Sequence, residues 1–179
     1  MLIRIVPDMF IDEKYECVTT NDVIHEIYRT TRFKSKYPWR DKYKDKIKAI
    51  PESKIINGKY LITYKVIQSI IQRGTINTET DKVFDLSRVD QKIAACVASH
   101  DYYITTVDKG LKDFIFQQFD KPNMSPLYLL NKWINMGFLV WNENFRTVLE
   151  DWDKCKEAPQ PLNDIEEFER IAGCKYPGP

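Results

Sequence analysis

The chain has 179 residues, of which 43% are hydrophobic and 30% are charged, and its formal net charge is +1. This composition is typical of a folded globular protein with a sizeable core and excludes a disordered or fibrous chain. No apolar run approaches the ~20 residues that a membrane-spanning helix needs, so we expect no membrane association.

Targeting and redox signals are sparse. The first residues lack the cleavage pattern of a signal peptide, so we expect a cytoplasmic protein. The cysteines form no C-x-x-C pair and have no neighbouring histidine, which predicts reduced thiols and no zinc site. They are Cys17, Cys96, Cys155 and Cys174.

The first part of the chain predicts strands followed by a helix. Residues 2–6 form a continuous apolar run with one arginine, which favours a buried parallel strand. Residues 16–18 are a second short strand candidate. A helix then begins near Asp22, where Thr20 or Asn21 provides the N-cap.

The middle of the chain alternates helices with one further strand. Residues 59–73 predict a helix that ends at Gly74, and a second helix opens at Ser87. Residues 102–107 are β-rich, and residues 111–119 are helical. The apolar positions of the 59–73 helix are Ile62, Val66, Ile67, Ile70 and Ile71. This order predicts an α/β fold, with a parallel sheet covered by helices on both faces.

The C-terminal part predicts helices at residues 125–136, 143–152 and 162–172, with a short strand-like run at 138–141. We therefore expect a core at 1–122, a helical extension packing on it at 123–158, and an acidic, partly flexible tail at 159–179.

Four acids are candidate site residues, namely Asp8, Glu26, Asp90 and Asp108, and three of the four are expected at or beside positions that face the interior. Carboxylates taken out of water are costly without a partner, and several together repel one another. A divalent cation converts this repulsion into coordination. Asp8 and Asp108 follow predicted strands, and ligands of such sheets bind beyond the carboxyl ends of the strands. The acids therefore predict a metal site.

The acids and their surroundings resemble the PIN-domain nucleases. The resemblance covers residues 1 to about 120, and Met9 departs from the Thr or Ser that the family usually places after its first Asp. The short interval from Asp8 to Glu26 is more similar to the RNA-processing members than to the toxin members. The segments that carry the resemblance are 5–8, 19–26, 86–95 and 104–111.

The resemblance implies a three-layer α/β/α fold and a metal-dependent endoribonuclease. Asp8, Asp90 and Asp108 would hold Mg²⁺ or Mn²⁺, and Glu26 would act as a ligand or orient the attacking water. The metal would activate that water for in-line attack on an RNA phosphodiester bond.

Each acid also has a structural interpretation. Asp90 could close a capping arrangement with Ser87, and Asp108 could form the turn before the next helix. Glu26 could pair with nearby arginines on a solvated face. Asp8 is the hardest of the four to explain structurally.

Residues 29–48, which we call the basic segment, combine nine Lys or Arg with two Asp, giving a local charge of +7. Cations neutralise phosphates and aromatic rings accept unstacked bases, so the segment predicts binding of single-stranded RNA. In the alternative interpretation Tyr37 and Trp39 pack into the domain and the lysines are solvated. The candidate RNA-binding residues are Arg29, Arg32, Lys34, Lys36, Trp39 and Arg40.

Residues 150–169 are acidic, with eight acids and two lysines, and could be plain solvated surface or fold over the basic segment. Rival functions stay open: a toxin held by a protein antitoxin or inhibitor, a catalytically inactive RNA-binding or assembly module, and a structure-specific DNA nuclease. A homodimer is equally compatible with the sequence.

Overall fold

The computed structural model describes residues 1–179 and is mostly helical. It forms two compact units, of which unit 1 comprises Met1–Ala49 with Ser125–Pro179 and unit 2 comprises Ile50–Met124. No helix combines the length and the apolar character that crossing a membrane requires. The α-helices, in chain order, are α1 (Leu2–Ile5), α2 (Asn21–Arg29), α3 (Thr31–Lys36), α4 (Glu52–Ile55), α5 (Gly58–Gln72), α6 (Arg88–Ser99), α7 (Lys109–Phe119), α8 (Pro126–Asn135), α9 (Arg146–Lys154) and α10 (Leu162–Ala172).

The predicted central parallel sheet is wrong. The chain has one two-stranded antiparallel sheet, β1 (Ile76–Asn77) and β2 (Lys82–Val83), in unit 2. Short 3₁₀ helices supplement the α-helices at Glu13–Tyr15, Pro38–Lys46 and Glu143–Phe145. An α/β/α layering, and with it a PIN-like fold, is therefore excluded as a description of this structure.

The apolar run at residues 2–6 is a helix rather than a strand. Its backbone is satisfied locally, because the Val6 amide donates to the Leu2 carbonyl at 2.8 Å and no neighbouring strand exists to pair with. Leu2, Ile3, Ile5 and Val6 are all buried. A short run that is buried on nearly every side has no periodicity that separates helix from strand.

The run at residues 102–107 is extended but joins no sheet. Only Ile104 forms a bridge, to Asn123, and the Asn123 side chain accepts from the Thr106 amide at 3.0 Å. One side chain and one backbone bond, from the Met124 amide to the Ile104 carbonyl at 2.8 Å, thus replace the strand partner that the predicted sheet would have supplied. Residues 16–18 and 138–141 also lack strand structure.

The core of unit 1 brings α1 together with the C-terminal helices. Leu127, Leu130, Leu149 and Phe168 are fully buried there, and α8 packs against α10. Met9 is also buried in this core, which accounts for an apolar residue at the position after Asp8.

The core of unit 2 lies between α5, α6 and α7. Ile67 and Phe114 are fully buried in it. The helix predicted at 59–73 is confirmed, but its expected apolar face is only partly correct, because Ile62 is 68% exposed and Val66 is 45% exposed. The buried side of α5 is the one that faces α6, and it includes Tyr60 and Ile67.

Candidate functional site

Asp8 lies just after α1 in unit 1, in a solvated ion pair. Its carboxylate accepts from the Lys46 ammonium at 2.8 Å, and the two side chains are 51% and 45% exposed. An exposed pair of this kind contributes little to stability. Lys46 therefore neutralises the charge for which the sequence predicted a metal ion.

Glu26 lies on α2, also in unit 1, with its side chain exposed. Its backbone carbonyl closes the helix by accepting from the amide and the hydroxyl of Thr30. The Glu26 side chain is solvated, as the alternative interpretation expected, but it does not form the expected ion pair with Arg29 or Arg32.

Asp90 completes a capping box at the start of α6 in unit 2. The Ser87 hydroxyl accepts from the Asp90 amide at 3.1 Å, and the Asp90 carboxylate accepts from the Ser87 amide at 3.2 Å. It also accepts from the Ser87 hydroxyl at 2.6 Å. The capping interpretation of this acid is confirmed.

Asp108 is the N-cap of α7, where it is exposed. Its carboxylate accepts from the Leu111 amide at 2.8 Å, and its own amide donates to the Thr106 hydroxyl at 3.1 Å. Both contacts are local to the turn that starts the helix. The arrangement satisfies one of the free amides of the first turn of α7.

The four acids divide between the two units, with Asp8 and Glu26 in unit 1 and Asp90 and Asp108 in unit 2. Three of them are engaged by a lysine or by local donors, the fourth is solvated, and no group of three or more His, Cys, Asp or Glu side chains could hold a metal ion.

The basic segment covers the end of α2, α3, and the 3₁₀ helix Pro38–Lys46 in unit 1. Six of its nine cations are exposed and take part in no ion pair. Such side chains are free to meet an external anion without first breaking an internal contact. They are Arg29, Arg32, Lys34, Lys42, Lys44 and Lys48.

The other three cations of the segment have internal partners. Arg40 is buried and donates to the carbonyls of Tyr28 and Thr30, at the C-terminal end of α2. Lys36 pairs with Glu157 at 2.6 Å, and Lys46 pairs with Asp8. Arg40 thus stabilises the end of a helix, where carbonyls lack intrahelical partners.

Four aromatic rings follow one another along the segment. Phe33 stacks on Tyr37, Tyr37 contacts Trp39, and Trp39 contacts Tyr43, with ring centroids 5.7 to 5.9 Å apart. Trp39 and Tyr43 pack against the core of unit 1. The Arg4 guanidinium lies 5.2 Å from the centroid of the Trp39 ring.

Two residues of the acidic stretch contact the basic segment, because the Cys155 thiol donates to the Lys36 carbonyl at 3.5 Å and Glu157 contacts two side chains. Glu157, whose side chain is only 7% exposed, contacts the Lys36 ammonium and the Tyr37 hydroxyl. Burial and the Glu157 carboxylate raise the pKa of the Tyr37 phenol, which therefore stays a neutral donor. The acidic stretch thus engages the segment at Lys36 and Tyr37 and leaves the six exposed cations unpaired.

Three of the exposed cations, Lys42, Lys44 and Lys48, contribute to the local charge but are not among the binding residues that the sequence predicts. Their exposure was not distinguishable from that of Arg40 by sequence, because the segment has no clear helical or strand periodicity.

Comparison of the chain with protein-family models, curated proteins and solved structures finds no match.

Proposed function

We propose that this protein binds nucleic acid through the phosphate backbone, using the exposed cations of the basic segment. The observation that carries the proposal is six unpaired, exposed Lys and Arg side chains within 20 residues of unit 1. Lys and Arg on such a surface attract a polyanion by releasing its condensed counterions.

The arrangement of the segment favours this proposal over a role for the same charges in folding. The buried Arg40 and the paired Lys36 and Lys46 already supply the internal contacts of this region. The six exposed cations form no ion pairs, so direct pairing does not offset the repulsion among them. A surface that tolerates such repulsion fits an external anionic ligand.

RNA and DNA share the phosphodiester chemistry on which the proposal depends. RNA is the ligand expected from the sequence, and parallel titrations with DNA of the same length test that choice.

Metal-dependent cleavage by Asp8, Glu26, Asp90 and Asp108 stays a prediction. It is tested by adding Mg²⁺ or Mn²⁺ to the same mixtures and analysing the RNA for shortened products.

Charge reversal within the segment tests the proposal. We expect the triple variant Arg32→Glu, Lys34→Glu, Lys44→Glu to lose about tenfold or more in affinity for a fluorescent 12-nucleotide RNA at low salt. Fluorescence anisotropy measures the loss, and circular dichroism checks that the variant is folded.

A matched control separates a local surface from net charge. Lys54, Lys59 and Lys65 of unit 2 are also exposed and unpaired, so reversing all three gives the same change in net charge. We expect this control to bind RNA nearly as the unaltered protein does. Equal losses in the two triple variants would show that the basic segment is not the binding surface.

A further inference from the structure

Phe33 differs from the other rings of the basic segment in its surroundings. It lies on α3 between Arg32 and Lys34, both of which are exposed and free of ion pairs. Its ring is half-buried and belongs to neither hydrophobic core. Phe33 is thus an aromatic ring outside both cores, with a free cation on each side of it in the sequence.

The Tyr37 ring, which has internal contacts of its own, stacks on the Phe33 ring. Phe33 stacks on Tyr37 with centroids 5.9 Å apart and planes 28° apart. The Tyr37 hydroxyl donates to the Glu157 carboxylate, and the centroid of the Tyr37 ring lies 5.7 Å from that of the Trp39 ring. Phe33 therefore extends an aromatic series whose inner members are anchored, so little ordering is needed when a ligand meets it.

Trp39, the ring that the sequence favoured for base contacts, is less available. It packs against the core of unit 1, and the Arg4 guanidinium lies 5.2 Å from its centroid. A base would have to displace that cation or the core contacts to stack on it. The same holds for Tyr43, which packs on Trp39 and the core.

We propose that Phe33 stacks with one unpaired base of a single-stranded nucleic acid while Arg32 and Lys34 contact the adjoining phosphates. This inference rests on the proposed function and adds its ligand class, a single strand rather than a duplex. Bases within a duplex are stacked on each other and do not offer a face to an external ring, whereas every unpaired base does.

Three ligands of equal length separate stacking from backbone contact: a 12-nucleotide RNA, the same backbone with abasic sites, and a 12-base-pair RNA duplex. We expect Phe33→Ala to weaken binding of the single strand about tenfold and to leave the abasic strand and the duplex unchanged. Phe33→Tyr keeps an aromatic face and should retain the affinity. Tyr128→Ala removes an exposed ring on α8 and should change nothing.

The outcomes distinguish the inference from the function on which it rests. Loss of affinity confined to the single strand, with rescue by Phe33→Tyr, supports stacking. No loss, or the same loss for all three ligands, overturns the role of Phe33 while backbone binding stands. If the unaltered protein binds none of the ligands, the proposed function fails together with the inference.

Discussion

A carboxylate in the position of Asp108 can either cap a helix or coordinate a metal ion, and the sequence alone does not decide between these two roles. A carboxylate oxygen that accepts from a backbone amide at a helix start is also the kind of oxygen that coordinates a divalent cation. The local sequence around Asp108, a short polar turn before an apolar helix, is compatible with both. In the structure the Asp108 carboxylate caps the helix, because its Oδ1 accepts from the Leu111 amide at 2.8 Å.

Substitutions of Asp108 separate these roles. We expect Asp108→Ala to lower the free energy of unfolding by about 1 kcal/mol, because α7 loses its N-cap, and Asp108→Asn to stay close to the unaltered protein, because Asn caps as well as Asp. Urea denaturation of the three proteins measures the difference. An Asn variant as unstable as the Ala variant would indicate that the charge, not the cap, is what this position supplies.

Individual helices are where the sequence was most informative. The Thr20 cap of α2, the Ser87 capping box of α6 and the bounds of α10 are confirmed. Caps and helical periodicity are local properties, so a few neighbouring residues determine them. Strands need partners elsewhere in the chain, and the runs at 2–6 and 102–107 find none in a sheet.

The α5 helix shows a second limit at this scale. Aliphatic residues occur on more than one of its sides, so the pattern predicts a helix without identifying the face that is buried. Packing against α6 determines which face of α5 is buried, and it leaves Ile67 fully buried and Ile62 68% exposed. The burial of one isoleucine and not the other is therefore a tertiary effect.

Two alanine variants test the orientation of α5. Ile67→Ala should lower the free energy of unfolding by about 2–5 kcal/mol, since it opens a cavity in a closed core. Ile62→Ala should change it by less than about 0.5 kcal/mol, as is usual for an exposed position. Both values come from denaturant unfolding. Similar losses in the two variants would contradict the orientation.

For the whole molecule, the organisation of unit 1 lay beyond sequence reasoning. Residues 1–49 and 125–179 form one unit, and Arg4 pairs with Asp151 at 3.1 Å although 147 positions separate them in the chain. No periodicity or local motif in the sequence predicts that these two distant residues form an ion pair. The excess charge of the basic segment, by contrast, was visible in the sequence because charge is a property of composition.

The location of the candidate site was predictable from the sequence, but the contacts of its individual residues were not. The sequence located the basic segment, and exposure in the structure agrees for Arg29, Arg32 and Lys34. It could not show that Arg40 is buried against helix carbonyls or that Trp39 packs on the core. These features depend on α2 and on the core of unit 1, which the local sequence does not specify.

The salt dependence of RNA binding tests the central claim most directly. If all six free cations contact phosphates, the logarithm of the association constant should fall with the logarithm of the salt concentration with a slope of about −4. The triple reversal of Arg32, Lys34 and Lys44 should reduce the slope to about −2. A slope near zero, or one that the reversal leaves unchanged, would contradict binding through the basic segment.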